Sequence, residues 1–92
     1  MTRAARRAAF LDRDGTLIRD VNFIGRPEQV EMIHGAATAV RRLNEAGVAT
    51  IVVTNQSGIA RGYFSQRDYE LVRERVELLL AEAGARIDAS YM

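Results

Sequence analysis

Two carboxylates, Asp12 and Asp14, stand one residue apart at the end of the apolar run Ala8-Ala9-Phe10-Leu11 and just ahead of Gly15-Thr16. Paired carboxylates beside apolar residues carry a desolvation cost and repel each other unless a cation lies between them. Magnesium meets that need, because it takes hard oxygen ligands, uses one or two protein carboxylates and fills its octahedron with water and substrate phosphate. An Asp-Gly hairpin turn is the plainer alternative for the same residues. A calcium loop of the EF-hand type fails on spacing, since its twelfth position calls for a glutamate and falls on Phe23.

A second polar cluster, Thr54-Asn55-Gln56-Ser57-Gly58, follows the β-branched run Val48-Ala49-Thr50-Ile51-Val52-Val53. Hydroxyl and amide donors at a strand end suit phosphate oxygens, although the same residues also make an ordinary polar turn. Arg61, a little further on, is either a contact for a second phosphate or a solvated arginine. His34, the single histidine, stands before Gly35 where a helix begins and reads as structural.

The elements that must position these groups follow from periodicity. Ala8 to Leu11 and Val48 to Val53 are continuous apolar runs, as in strands covered on both faces. Between them, Asp20 to Glu31 has no sustained period and contains Gly25 and Pro27, which predicts an excursion after the first strand. Ala36, Ala39, Val40 and Leu43 recur at helical spacing, giving a helix over about 36–46 that Gly47 ends. Ser65 and Asp68 resemble a capping box that starts a second helix. Its apolar stripe is Tyr69, Val72, Val76, Leu79, Leu80 and Ala83, with Arg73 and Glu77 paired elsewhere on its surface. Gly84 ends that helix, and Ile87 to Met92 reads as a third strand. The order β-α-β-α-β implies parallel strands with right-handed crossovers, and such sheets bind ligands at the carboxyl ends of their strands. Both polar clusters are predicted to lie at that edge, with Thr54 facing the two aspartates if the strands are neighbours.

Composition sets outer limits. The 92 residues make at most one small domain, and an apolar share of 48% with 27% charged residues is that of an ordinary globular protein. A net charge of +1 gives no ground for nucleic-acid or membrane attraction, and the longest apolar run is far short of the roughly 20 residues that span a bilayer. Arg3, Arg6 and Arg7 read as a solvated leader. There is no cysteine, so neither disulfides nor thiolate metal sites arise within these residues, which favours a cytoplasmic setting.

The segments Phe10-Leu11-Asp12-Arg13-Asp14-Gly15-Thr16-Leu17-Ile18 and Val53-Thr54-Asn55-Gln56-Ser57-Gly58-Ile59-Ala60-Arg61-Gly62, in this order, closely resemble motifs of the haloacid dehalogenase superfamily of phosphohydrolases. Within it they are most similar to the D-glycero-D-manno-heptose 1,7-bisphosphate 7-phosphatases and their histidinol-phosphate phosphatase relatives. The heptose branch is preferred, because the histidinol branch has Asp-Gly-Leu-Gly where this chain has Ser57-Gly58-Ile59-Ala60. A receiver domain also carries a phosphorylatable aspartate at a strand end, but it lacks the Asp-x-Asp-Gly-Thr motif.

The resemblance implies an α/β, Rossmann-like parallel sheet with flanking helices and no large cap, of which residues 1–92 are the amino-terminal β-α-β-α-β part of one domain. It implies that Asp12 is the nucleophile, that Asp14 is the general acid and base, and that Mg2+ is held by Asp12 and the main-chain carbonyl of Asp14. The substrate, a small sugar phosphate, would meet Asp12, Arg13 and Asp14, a flap of Asp20, Val21, Asn22 and Phe23, and the group Thr54, Asn55, Gln56 and Ser57. Members of the family continue with a phosphate-bracing lysine, a further acidic metal motif and, in the heptose branch, a loop of Cys and His ligands for structural Zn2+. This chain contains no lysine and no cysteine. The expectation is therefore an amino-terminal fragment, poorly active alone and able to self-associate through an unpaired strand edge. A non-catalytic remnant that only binds metal or phosphate is the rival.

Overall fold

The computed structural model describes residues 7–21, 24–54, 59 and 61–91. Its sheet has three parallel strands in the order β1-β2-β3, with β1 spanning Ala8–Asp12, β2 Ala49–Val53 and β3 Ala89–Tyr91. Helix α1, Ala36–Glu45, joins the first pair of strands and α2, Gln66–Glu82, joins the second. In register, Asp12 lies beside Val53, and Val53 beside Tyr91, so all three strands end at one edge.

The predicted strand runs are correct in place but not in burial. Both helices pack on the same sheet face, against Leu11 and Val52, while the other face leaves Phe10 68%, Val53 39% and Tyr91 60% exposed. Two right-handed crossovers leading to successive neighbours put both helices on one side, which accounts for the bare face. Strand β1 forms an edge of the sheet.

Helix α1 buries Ala36, Val40 and Asn44. The stripe is thus turned from the predicted one: Ala39 faces solvent and Leu43 is only half-buried. Asn44 takes a core position because its amide is fully engaged, with Nδ2 donating to Thr50 Oγ1 at 3.3 Å and to the Arg86 carbonyl at 3.1 Å. The Arg86 N–H returns a bond to Asn44 Oδ1 at 2.8 Å. Gly47, just beyond the end of α1, has φ +75°, the left-handed conformation that closes a helix at least cost in glycine.

Helix α2 begins as its sequence predicts. Ser65 Oγ accepts from the Asp68 N–H at 3.1 Å, and an Asp68 carboxylate oxygen accepts from the Ser65 N–H at 2.9 Å. It buries Tyr69, Val72, Val76 and Leu80, whereas Ala83 lies past its last turn and is exposed. Burial of each aliphatic side chain in this row contributes about 1.5–3 kcal/mol.

The excursion after β1 has a closed neck. Ile18 and Met32 form an antiparallel bridge, and the Arg19 N–H donates to the Glu31 carbonyl at 2.8 Å. Beyond the neck, Ile24 is 2% exposed and anchors the loop in the core. A short 3-10 turn, Pro27–Gln29, is tied back by Gln29 Oε1, which accepts from the Gly25 and Arg26 N–H groups at 3.0 Å each. Gly25 lies against Phe64: a Cβ at position 25 would stand 2.9 Å from Phe64 Cβ.

Candidate functional site

The chain leaves β1 at Asp12 and turns at once. The Arg13 carbonyl accepts from the Leu17 and Ile18 N–H groups at 2.9 and 3.0 Å, and the Gly15 N–H donates to the Ile18 carbonyl at 2.8 Å. Gly15 sits at φ +86°, where a β-carbon would be strained, so glycine is what allows the chain to double back beside the carboxylates. Asp14 is therefore part of a turn, bridged to Ile18, and its position is not set by alternation along an extended strand.

Asp12 is exposed at the strand end. Its register partner Val53 is followed directly by Thr54, which is 5% exposed and donates its N–H to the Tyr91 carbonyl at 3.0 Å. Asp12, Asp14 and Thr54 thus gather at the carboxyl edge of the sheet, the edge where open α/β sheets bind ligands.

The Arg13 side chain, in a residue grouped by sequence with the substrate contacts, is buried, and 3% of the residue's surface is exposed. Its Nε donates to Asp14 Oδ1 at 2.7 Å and its Nη2 to Asp14 Oδ2 at 3.3 Å. The guanidinium carbon lies 5.9 Å from the centre of the Tyr69 ring, within cation–π range. Arg13, Thr54, Tyr69, Arg73, Glu77 and Ser90 share a narrow crevice between the sheet end and α2. Burial pushes the Tyr69 phenol above its ordinary range, and the positive charges of Arg13 and Arg73 oppose that shift. Sequence alone places Tyr69 in the core stripe; nothing local marks it as the neighbour of Arg13.

Of the remaining sequence-predicted contacts, Asp20 and Val21 are exposed just beyond the neck of the excursion. Asn22, Phe23, Asn55, Gln56 and Ser57 lie outside the described residues. Arg61 and His34 are exposed. A separate groove of about 530 Å³ between the excursion and the start of α2 is lined by Arg26, Glu28, Tyr63 and Asp68 among others, none of them predicted from sequence as a site residue.

The donor set at the sheet edge is all oxygen: two carboxylates with adjacent main-chain carbonyls. Among the described residues no group of three or more His, Cys, Asp or Glu side chains could hold a metal. Sparse oxygen ligation of this kind fits magnesium, which keeps much of its shell for water and phosphate, and does not fit zinc. Among the same residues no helix is long and apolar enough to cross a membrane.

Residues 9–71 match the family model described as haloacid dehalogenase-like hydrolase. A D-glycero-D-manno-heptose-1,7-bisphosphate 7-phosphatase of Thermosynechococcus vestitus is 49% identical over 94% of this chain and 44% of its own length. The corresponding 7-phosphatase of Pasteurella multocida is 41% identical over 94% of this chain and 47% of its own. Among solved structures, the D,D-heptose 1,7-bisphosphate phosphatase of B. bronchiseptica, complexed with magnesium and phosphate, superposes with a TM-score of 0.89 at 32% identity. That match covers 94% of this chain and 49% of the other. The chain spans about half the length of the curated relatives it matches.

Proposed function

The chain belongs to the haloacid dehalogenase-like hydrolases, and from that premise we propose that it carries the nucleophilic half of a cytoplasmic, magnesium-dependent phosphomonoesterase that removes the 7-phosphate of D-glycero-D-manno-heptose 1,7-bisphosphate. The observation that carries this reading is the meeting of Asp12, Asp14 and Thr54 at one sheet edge, together with relatives named for that substrate.

In the proposed reaction an Asp12 carboxylate oxygen attacks phosphorus, forming an O–P bond as the ester O–P bond breaks in line. Asp14 gives its proton to the departing sugar oxygen. Water then attacks the aspartyl-phosphate, Asp14 takes a proton from that water, and inorganic phosphate leaves with Asp12 restored. The Thr54 side chain would hydrogen-bond the transferring group. Exposed Asp20 and Val21, on the excursion, would meet the sugar with Asn22 and Phe23. Magnesium, held by the Asp12 carboxylate and the Asp14 main-chain carbonyl, would supply positive charge that lets two anions approach.

Turnover of heptose 1,7-bisphosphate and of histidinol phosphate by the protein carrying this sequence, with and without Asp12→Asn, tests the reading. Release of the 7-phosphate, little action on histidinol phosphate and loss of turnover in the variant are expected. Unchanged turnover in Asp12→Asn would remove the nucleophile and the mechanism with it.

A further inference from the structure

We propose that Arg13 is a positioning residue for Asp14, an inference that rests on the phosphatase reading and adds a residue to it. An arginine buried to 3% exposure is costly unless its charge and its donors are met. Here two features meet them: the Asp14 carboxylate, held by a two-pronged contact, and the face of Tyr69.

The contact is asymmetric. Asp14 Oδ1 is bound at 2.7 Å, while Oδ2 is held loosely at 3.3 Å. The tight bond fixes the carboxyl group in one orientation, and the looser contact leaves its second oxygen less constrained. The Asp14 side chain is 27% exposed while that of Arg13 is only 4% exposed, so the pair points its aspartate outward from a buried base. Tyr69 belongs to the buried row of α2 and backs the guanidinium plane, linking the aim of the aspartate to the packing of that helix.

Only the planar fork of arginine can grip both carboxylate oxygens and lie over a ring. Lysine supplies charge without that geometry. Removing one partner of a buried ion pair costs stability whatever its role, so the role of Arg13 is read from rates and not from folding.

The test separates proton donation from everything else by the choice of leaving group. An alkoxide departs slowly unless protonated, whereas p-nitrophenolate departs without a proton. First-turnover rates are measured with magnesium present for the heptose bisphosphate and for p-nitrophenyl phosphate, in the unmodified protein, Arg13→Met and Arg13→Lys. Arg13→Met should lose about 10- to 100-fold on the sugar ester, the scale of a misplaced general acid. On p-nitrophenyl phosphate it should change by less than about threefold, with KM for both esters held, because no acid is needed there. Arg13→Lys should recover part of the loss, and it carries the comparison if the Met variant does not fold. Equal losses on both esters, or no loss on either, would overturn the role given to Arg13. Inactivity on both esters of the whole protein that carries this sequence would instead refute the phosphatase reading itself.

Discussion

Asn44 and Arg86 exchange a pair of hydrogen bonds, the Arg86 N–H donating to Asn44 Oδ1 at 2.8 Å and Asn44 Nδ2 donating to the Arg86 carbonyl at 3.1 Å. One side chain of α1 thereby engages both main-chain polar groups of a single residue in the approach to β3. The next anchor is Asp88, whose carboxylate accepts from the Thr50 N–H at 2.7 Å and whose own N–H donates to the Thr50 carbonyl at 2.8 Å. Strand β3 is short, and these bonds hold it beside β2.

Asn44→Leu leaves the part-buried backbone N–H and C=O of Arg86 without their partner. It should lower unfolding free energy by about 2–3 kcal/mol. Urea denaturation followed by circular dichroism measures this. A change below about 0.5 kcal/mol, the range of ordinary surface substitutions, would show that water replaces the clamp.

Ser65→Ala should cost about 1 kcal/mol, as the loss of a helix cap does. The dependence on pH has a definite sign. The hydrogen bond from the Ser65 backbone, followed by that from its side chain, holds the Asp68 carboxyl below its ordinary value of 3.8. Its contribution is present above 3.8 and fades as pH falls through the lower folded value. The difference between Ser65→Ala and the unmodified chain should therefore shrink in acid, and melting curves from neutral pH to about pH 2 would follow it.

At the alkaline end the sign is reversed. Burial raises the Tyr69 phenol above its ordinary value of 10.0, so its contribution is intact below that value and lost as pH climbs through the folded one. Ultraviolet titration should show an ionisation step that comes late and accompanies unfolding. Tyr69→Phe, which keeps the ring beneath Arg13, should remove that step.

The two short words around Asp12 and Thr54 and the capping signal at Ser65 and Asp68 were legible in the sequence, since each depends on residues adjacent or one turn apart. The parallel order of the strands was equally legible, because it follows from alternating elements. Two features were not. Asn44 looks like a solvent-facing helix residue until Arg86, 42 positions away, is brought to it by the crossover. Arg13 looks like a site residue because it sits between two aspartates, and only the placement of Tyr69 on α2 shows that it lies beneath them. The exposure of Phe10 escaped for a related reason: an apolar strand announces that it can be covered, not how many faces its neighbours reach.

Phe10, Val53 and Tyr91 on the bare sheet face, next to the edge of β1 that no strand covers among the described residues, predict self-association of the 92-residue chain. Sedimentation should show species larger than a monomer, shifted toward monomer by Phe10→Lys. A monomer at all concentrations would contradict this.

Chelation should stop phosphate release and added magnesium should restore it, whereas zinc should restore less, given oxygen-only ligands. Phosphate release assayed after dialysis against chelator checks the order.

Gly25→Ala should destabilise by about 1–3 kcal/mol, the cost of overpacking, and Phe64→Gly, which removes the β-carbon met at 2.9 Å, should relieve much of the clash. A double-mutant cycle would report the coupling as non-additivity.

That close contact binds two loops into a shared history. A descendant of this chain that acquired bulk at position 25 would be accommodated only once position 64 had given up its own β-carbon or the two loops had moved apart together. The excursion beyond β1 and the turn before α2 are then expected to drift as a matched pair across lineages, and swapping one of them alone between relatives would transplant a mismatch rather than a new specificity.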